Sequence, residues 1–364
     1  MRRSMQVTIA SSVTTGYLIF SFLSVRRDIA KKLRSILGTR LFDAIDAFGK
    51  RCESSAWFSN FRSLSSSLAI LWLESVRVKN VSIVDIFWGL SFVISSWTYA
   101  THKNAKDRYQ NRKALLVSLV TAWGSRLSTY LLWRNHLSSS NKMSGGISNS
   151  LEDYRYQKFR KYYDRLGLSY WWFSLIQVFA LQGALSHIVS SSLRIGLTAS
   201  QPNHFTLMDL AGVMTWIVGY YFEHVGDLDL VAFRSNPSNR GTVLRTLCTY
   251  IARKYHITTQ IETMITLTHT QKQAGTGLWA HSRHPNYFGN SLMWWGIYLV
   301  CCNAKNGWKT IYSPVLMTYL LTNVSGAKLL ERTLKRTKPG FAEYVKSVPE
   351  FIPWKLLRSK FSFM

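Results

Sequence analysis

Two stretches of the chain combine residue types that do chemistry. The first, residues 277–290, reads Gly-Leu-Trp-Ala-His-Ser-Arg-His-Pro-Asn-Tyr-Phe-Gly-Asn. It places Arg283, His284, Asn286 and Tyr287 just before an apolar run, 291–301. Polar groups at the mouth of a membrane segment are costly to desolvate, so they persist where they grip something, here a charged cofactor. Arg283 is permanently charged and forks onto phosphate or carboxylate. Asn286 both donates and accepts, which suits a carboxamide. Tyr287 can donate a proton to a developing enolate if a neighbour tunes it. His281 and His284 stand three apart, but Pro285 breaks the helix that would present both on one face. No metal is expected. The plainer reading is an interfacial aromatic anchor before a Pro-started helix.

The second stretch carries Glu223, Asp227 and Arg234. Offsets of four and seven put all three on one helix face. Two carboxylates four apart repel unless a cation or a donor-rich ligand lies between them. The plainer reading is a helix end with solvated charges. Two further acids stand out. Asp85, in Val-Asp-Ile-Phe-Trp-Gly, sits one turn into an apolar segment. That costs roughly 2.5–3.5 kcal/mol near a bilayer centre, so Asp85 needs a partner or a polar substrate group. Arg126 is the candidate partner, and a protonated Asp85 would be a candidate enolate donor. Glu331, in the tail, reads as an ordinary helix-end charge.

Elements must position these groups. The apolar residues, 47% of 364, come in blocks of about 20, long enough to cross a bilayer. The blocks are 5–25, 81–100, 114–133, 170–193, 205–222, 285–301 and 311–330, with a weaker one at 64–76 that carries Glu74. They predict an all-α, polytopic integral membrane bundle of six to eight transmembrane helices. The formal net charge is +27. The cations fall in the connections between blocks, which fits anionic head groups and topology signals. No Lys/Arg run interleaves with aromatics as a base-stacking platform would, so nucleic acid is not an expected partner. Four cysteines make no CxxC and no disulfide framework.

The most basic connections, 134–165, 234–283 and 331–360, alternate with the blocks and belong in the cytosol, with the C-terminus. The basic stretch 101–113 falls on the other side and runs against that rule. The first 40 residues are rich in Arg, Ser and Thr and read as an anchor helix or as a targeting segment. The expected organisation is an anchor or targeting segment with a basic linker (1–63), a membrane domain (64–354) and a basic tail (355–364).

Taken together, the segments resemble the steroid 5-alpha-reductase-like membrane family, and within it a branch with the steroid 5-alpha reductase C-terminal-type domain. The likeness is carried by Asp85 with Trp88-Gly89, Arg126-Leu127, Glu152-Asp153 with Arg155-Tyr156, Glu223 with Asp227, Phe233-Arg234 with Asn236-Pro237, the run from Ser282 to Gly289, and Trp294-Trp295-Gly296. It covers about 81–354. It implies NADPH held at the cytosolic side by the C-terminal half, in an endoplasmic reticulum membrane, with mitochondrial or bacterial inner membrane as alternatives. It also implies a lipid- or steroid-like enone entering from the membrane. Carried over by position, Glu223, Asp227, Arg234, Arg283, His284, Asn286 and Tyr287 would surround the cofactor, with Tyr287 and Asp85 as catalytic candidates. Two departures stand out. Asn290 occupies a position where the family has an acid, and 246–274 reads as an insertion. The reaction implied is reduction of a carbon–carbon double bond conjugated to a carbonyl. A membrane methyltransferase using S-adenosylmethionine, similar to the isoprenylcysteine carboxyl methyltransferases, is the alternative enzyme. A catalytically degenerate lipid-binding protein is the non-enzymatic one.

Overall fold

The computed structural model describes residues 55–105, 109–134, 152–235, 277–324, 327–337 and 341–354. The anchor segment, the inserted stretch 246–274 and the basic tail lie outside them. The chain divides into two units, Met1–Ser59 and Asn60–Met364. Only the start of the first helix is described in the first unit.

The described residues are all-helical, without strands. The helices are α1 (Ala56–Val78), α2 (Ile83–Thr101), α3 (Gln110–Leu132), α4 (Tyr154–Arg165), α5 (Tyr170–Val189), α6 (Ser191–Thr198), α7 (Leu207–Ser235), α8 (Leu278–His281), α9 (Pro285–Cys301), α10 (Tyr312–Tyr319), α11 (Ala327–Thr337) and α12 (Phe341–Ser347). A π-helical stretch, Leu175–Ala180, interrupts α5, and another, Leu320–Val324, extends α10. Local chemistry sets several starts. The Asp153 carboxylate accepts from the Arg155 backbone N–H at 2.9 Å and caps α4. Pro285 opens α9, where its missing N–H costs nothing.

Among the described residues, three helices, α2, α3 and α5, are long and apolar enough to cross a membrane. The sequence predicts six to eight, and the others fall short for separate reasons. Helix α7 has 29 residues but carries four acids, Asp209, Glu223, Asp227 and Asp229. Helix α9 has 17 residues, and α10 only 8 before its π turn. The block 5–25 is not among the described residues. Large apolar side chains nevertheless cover the outside: Leu207 is 84% exposed and Ile176 is 72% exposed. Solvated proteins rarely leave so much contiguous apolar surface bare, and lipid satisfies it.

Two glycine seams decide how the bundle closes. Helices α7 and α9 pack antiparallel, with Gly212 against Gly296 and Gly219 against Gly289. The glycines recur every seven residues on both helices, so they line one seam. A Cβ on Gly219 would stand 2.6 Å from the Gly289 carbonyl oxygen, which no side chain tolerates. Helices α2 and α3 meet in the same way at Gly89 and Gly124. Small residues let backbones approach where lipid supplies no hydrophobic drive. Beside these seams, Phe92, Trp123 and Trp294 form a fully buried aromatic knot. Phe92 and Trp294 have ring centroids 4.7 Å apart, and Trp123 meets Trp294 edge-on at 5.4 Å. The knot ties α2, α3 and α9 together beneath the acids of α7.

The seam makes a graded prediction. Gly219→Ala should destabilise the purified protein by about 1–3 kcal/mol through overpacking. Gly226→Ala should cost less, because its new Cβ meets nothing closer than 3.2 Å. Unfolding midpoints in one detergent measure both, and equal losses would refute the seam.

Candidate functional site

The acids of α7 meet a cation from another helix. Arg126, in the last third of α3, reaches across to both. Its Nη1 donates to Glu223 Oε1 at 2.7 Å and its Nη2 donates to Asp227 Oδ2 at 2.5 Å. All three are buried or nearly so. The Trp123 indole N–H donates to Glu223 Oε2 at 3.1 Å. From α9, Asn286 Nδ2 donates to Asp227 Oδ1 at 3.0 Å. One helical turn further, the Asn290 amide faces Glu223, and its own Oδ1 is buried without a hydrogen-bond partner. The carboxylates four apart are thus bridged by an internal cation. With two carboxyl groups and one guanidinium, the cluster holds one more acid than base, and it has an unpaired acceptor.

The sequence weighed Arg126 as the partner of Asp85. The structure gives Asp85 different partners. Arg155 Nη2 donates to Asp85 Oδ2 at 2.7 Å, and the Tyr156 hydroxyl donates to Asp85 Oδ1 at 2.7 Å. Both donors come from α4, which caps this end of α2. The neighbouring Glu152 accepts from the Val81 backbone N–H at 2.9 Å and from Arg160. Asp85 therefore anchors α4, apart from the Glu223–Asp227 cluster.

Arg283 and His284 also turn inward. Arg283 Nε donates to Glu331 Oε1 at 2.7 Å and its Nη2 to Oε2 at 3.2 Å. Its Nη1 donates to the carbonyls of Val348 and Val345. His284 Nε2 lies 3.1 Å from Glu331 Oε1. The fork expected on a phosphate is closed on an internal carboxylate. The backbone adds to this clasp. The Arg283 N–H donates to the Pro349 carbonyl, Ser282 Oγ to the Phe351 carbonyl, and the Tyr344 hydroxyl to the Trp279 carbonyl. Residues 279–284 thereby bind the tail helices α11 and α12. Burial pushes the Glu331 carboxyl up, but the hydrogen bonds from His284 and Arg283 outweigh it and hold the group at about 2.

Tyr287 stacks on His284, with centroids 5.4 Å apart and planes 8° from parallel. Trp279 Nε1 donates to the Gly226 carbonyl at 3.2 Å. These contacts hold the 279–290 stretch against the end of α7, so Asn286 and Asn290 stand beside Asp227 and Glu223. Arg234 lies in the last turn of α7, and its side chain is outside the described residues. No His/Cys/Asp/Glu group among the described residues has the make-up of a metal site.

Sequence reasoning missed two partners, Arg126 for the α7 acids and Glu331 for the Arg-His pair. Each joins residues far apart in the chain, and local spacing carries no trace of either.

This arrangement runs across the part of the chain that matches a known family model. The model, described as a protein of unknown function (DUF1295), matches residues 71–250 and 265–348. The chain belongs to the DUF1295 family. It is a steroid 5-alpha-reductase-like family. The break in the match falls within the stretch 246–274. The chain is also 25% identical over 295 residues to an uncharacterised protein of Schizosaccharomyces pombe, covering 78% of this chain and 76% of that one. No solved structure matches it significantly.

Two predictions follow the geometry of this DUF1295 chain. Arg126→Gln leaves Glu223 and Asp227 buried without their cation, and should cost about 3–5 kcal/mol. Adding Glu223→Gln should recover part of that loss in the same unfolding measurement. A double variant no more stable than Arg126→Gln would argue against the bridge. The Glu331 clasp gives a pH signature. Its carboxyl is held at about 2 against an ordinary value of 4.5, so its contribution is complete above pH 4.5 and fades as pH falls toward 2. Glu331→Gln should flatten that limb of the stability–pH curve.

Proposed function

We propose that the protein is a membrane oxidoreductase that uses NADPH to reduce a carbon–carbon double bond conjugated to a carbonyl in a lipid- or steroid-like substrate. The observation that carries this reading is the Asn290 carboxamide. It lies 6% exposed among Glu223, Asp227 and Asn286, with its Oδ1 unpartnered. Buried polar atoms are rarely left so. A carboxamide or ribose hydroxyl from a cofactor supplies the missing donor. The residues present fit the polar, sugar or nicotinamide part of such a molecule. Arg283 is committed to Glu331, so the phosphates fall to other cations, of which Arg234 is the one the sequence nominates.

When bound, NADPH supplies a hydride to the carbon beta to the substrate carbonyl. The chain's own part is to orient and to protonate. Glu223 and Asp227 accept from amide or hydroxyl hydrogens, and Asn286 and Asn290 fix the plane of a carboxamide. Tyr287 is the proposed donor toward the carbonyl oxygen as charge develops there. Asp85, held by Arg155 and Tyr156, is a supporting residue in this scheme. The positive-inside bias of the loops supports an orientation with this end in the cytosol, and the endoplasmic reticulum membrane is the location that the family resemblance suggests.

One feature favours a second reading. The Arg126–Glu223–Asp227 group holds one more acid than base, and a second carboxylate there would suit the sulfonium of S-adenosylmethionine in a methyltransferase. A titration of the detergent-purified protein with NADPH and with S-adenosylmethionine separates them. The expected result is NADPH binding that Asn290→Leu weakens at least about tenfold, the worth of one buried hydrogen bond. Binding of S-adenosylmethionine alone would replace the reductase with a methyltransferase. Binding of neither, with lipid retained, would leave a lipid-binding protein.

A further inference from the structure

At the end of the bundle opposite Glu223, four helices converge on a second polar cluster. Asn60 comes from α1, Tyr99 from α2, His187 from α5 and Arg194 from α6. Asn60 Nδ2 donates to the Tyr99 hydroxyl at 2.9 Å and lies 3.0 Å from His187 Nδ1. Asn60, Tyr99 and His187 are buried. Arg194 is half-buried and lies within electrostatic reach of both Tyr99 and His187.

Two atoms here are orphaned. Asn60 Oδ1 and Arg194 Nε are both buried without a hydrogen-bond partner. Turning the Asn60 amide over moves its orphan to Nδ2 without removing it. Arg194 also differs from the other buried arginines. Arg112, Arg126 and Arg283 each face a carboxylate within ion-pair distance. Among the described residues, none lies within that distance of Arg194. A half-buried cation with no counter-charge costs free energy that an incoming anion recovers. The rim is apolar and aromatic. Phe61 meets the His187 ring edge-on at 6.0 Å, and Phe61, Ile188 and Tyr312 are all exposed. Aromatic side chains around a half-buried cation suit an amphiphile whose head is polar and whose tail is not.

We propose that this cluster is a ligand site for an oxyanion, the phosphate or carboxylate head of an amphiphile, on the membrane face opposite the Glu223 site. Arg194 supplies the charge and Asn60 the second polar contact, with Tyr99 and His187 holding the Asn60 amide in place. The site does not depend on the proposed reductase activity. A bound head group at this level also touches four helices at once, so it braces α1 and α6 against the bundle.

The full chain in phosphatidylcholine nanodiscs tests this, with phosphatidic acid in one arm and inorganic phosphate in the other. Melting temperature and mass-resolved adducts are read together. The wild type should retain one phosphatidic acid and gain stability from it. Arg194→Gln should weaken that binding at least about tenfold, and Arg194→Lys should keep most of it, since charge is what the site requires. Lys158→Gln, exposed on α4 at the other end, should change nothing. Asn60→Asp provides the missing counter-anion, so it should raise the melting temperature in neutral lipid and abolish the gain from phosphatidic acid. Equal stabilisation by inorganic phosphate would keep the site and assign it to a soluble anion. Equal binding by wild type and Arg194→Gln, or no preference over phosphatidylcholine, would overturn it. So would an Asn60→Asp protein that responds to phosphatidic acid as the wild type does.

Discussion

The described bundle hangs on the Arg126 guanidinium between two carboxylates of α7. Three ionisable groups in a low-dielectric interior are tolerable only when each is bonded on geometry this close. Such a group adds little stability over well-packed apolar side chains. What it adds is specificity, because no other rotation of α7 satisfies Arg126. A second pair repeats the constraint. Arg112 Nε and Nη2 donate to the two Asp209 oxygens, each at 2.8 Å. Arg112 and Arg126 are fourteen residues apart on α3, and so are Asp209 and Glu223 on α7. The two pairs therefore pin parallel helices in one register at levels about 21 Å apart.

That register makes the glycine seam meaningful. With α7 set by α3, the seven-residue glycine stripe faces α9, whose own glycines meet it. The backbones close to a separation that side chains would forbid. This close approach carries Asn286 and Asn290 from α9 onto the carboxylates of α7. A larger residue along the seam would push the amides away from the acids they serve. The aromatic knot of Phe92, Trp123 and Trp294 lies under the same point, and Trp123 donates to Glu223 from it. Packing and polar chemistry thus share one residue at the floor of the site.

The Ser282–Asn290 run divides its labour. Its first half, Ser282 to His284, ties down the tail through Glu331 and the carbonyls of 348, 349 and 351. Its second half, Asn286 to Asn290, faces the acids. Pro285 separates the two by starting α9 between them. A motif that looks like one cofactor grip is a clasp and a site wall placed back to back. Burial alone would have raised the Glu331 carboxyl; the hydrogen bonds from His284 and Arg283 lower it instead.

The sequence by itself determined the all-helical class, the apolar blocks that become α2, α3 and α5, and the α7 face that carries Glu223 and Asp227. It also marked Asn286, which bonds Asp227, as a neighbour of a polar site. These follow from short-range rules, since period, block length and i, i+4 spacing are local. Only the tertiary structure decided who partners whom. Arg126 goes to Glu223 and Asp227, Asp85 goes to Arg155 and Tyr156, and Arg283 closes on Glu331. Each choice joins residues that spacing along the chain does not relate. The physical reason is that a buried charge takes the counter-charge that packing delivers, and here two glycine seams deliver it.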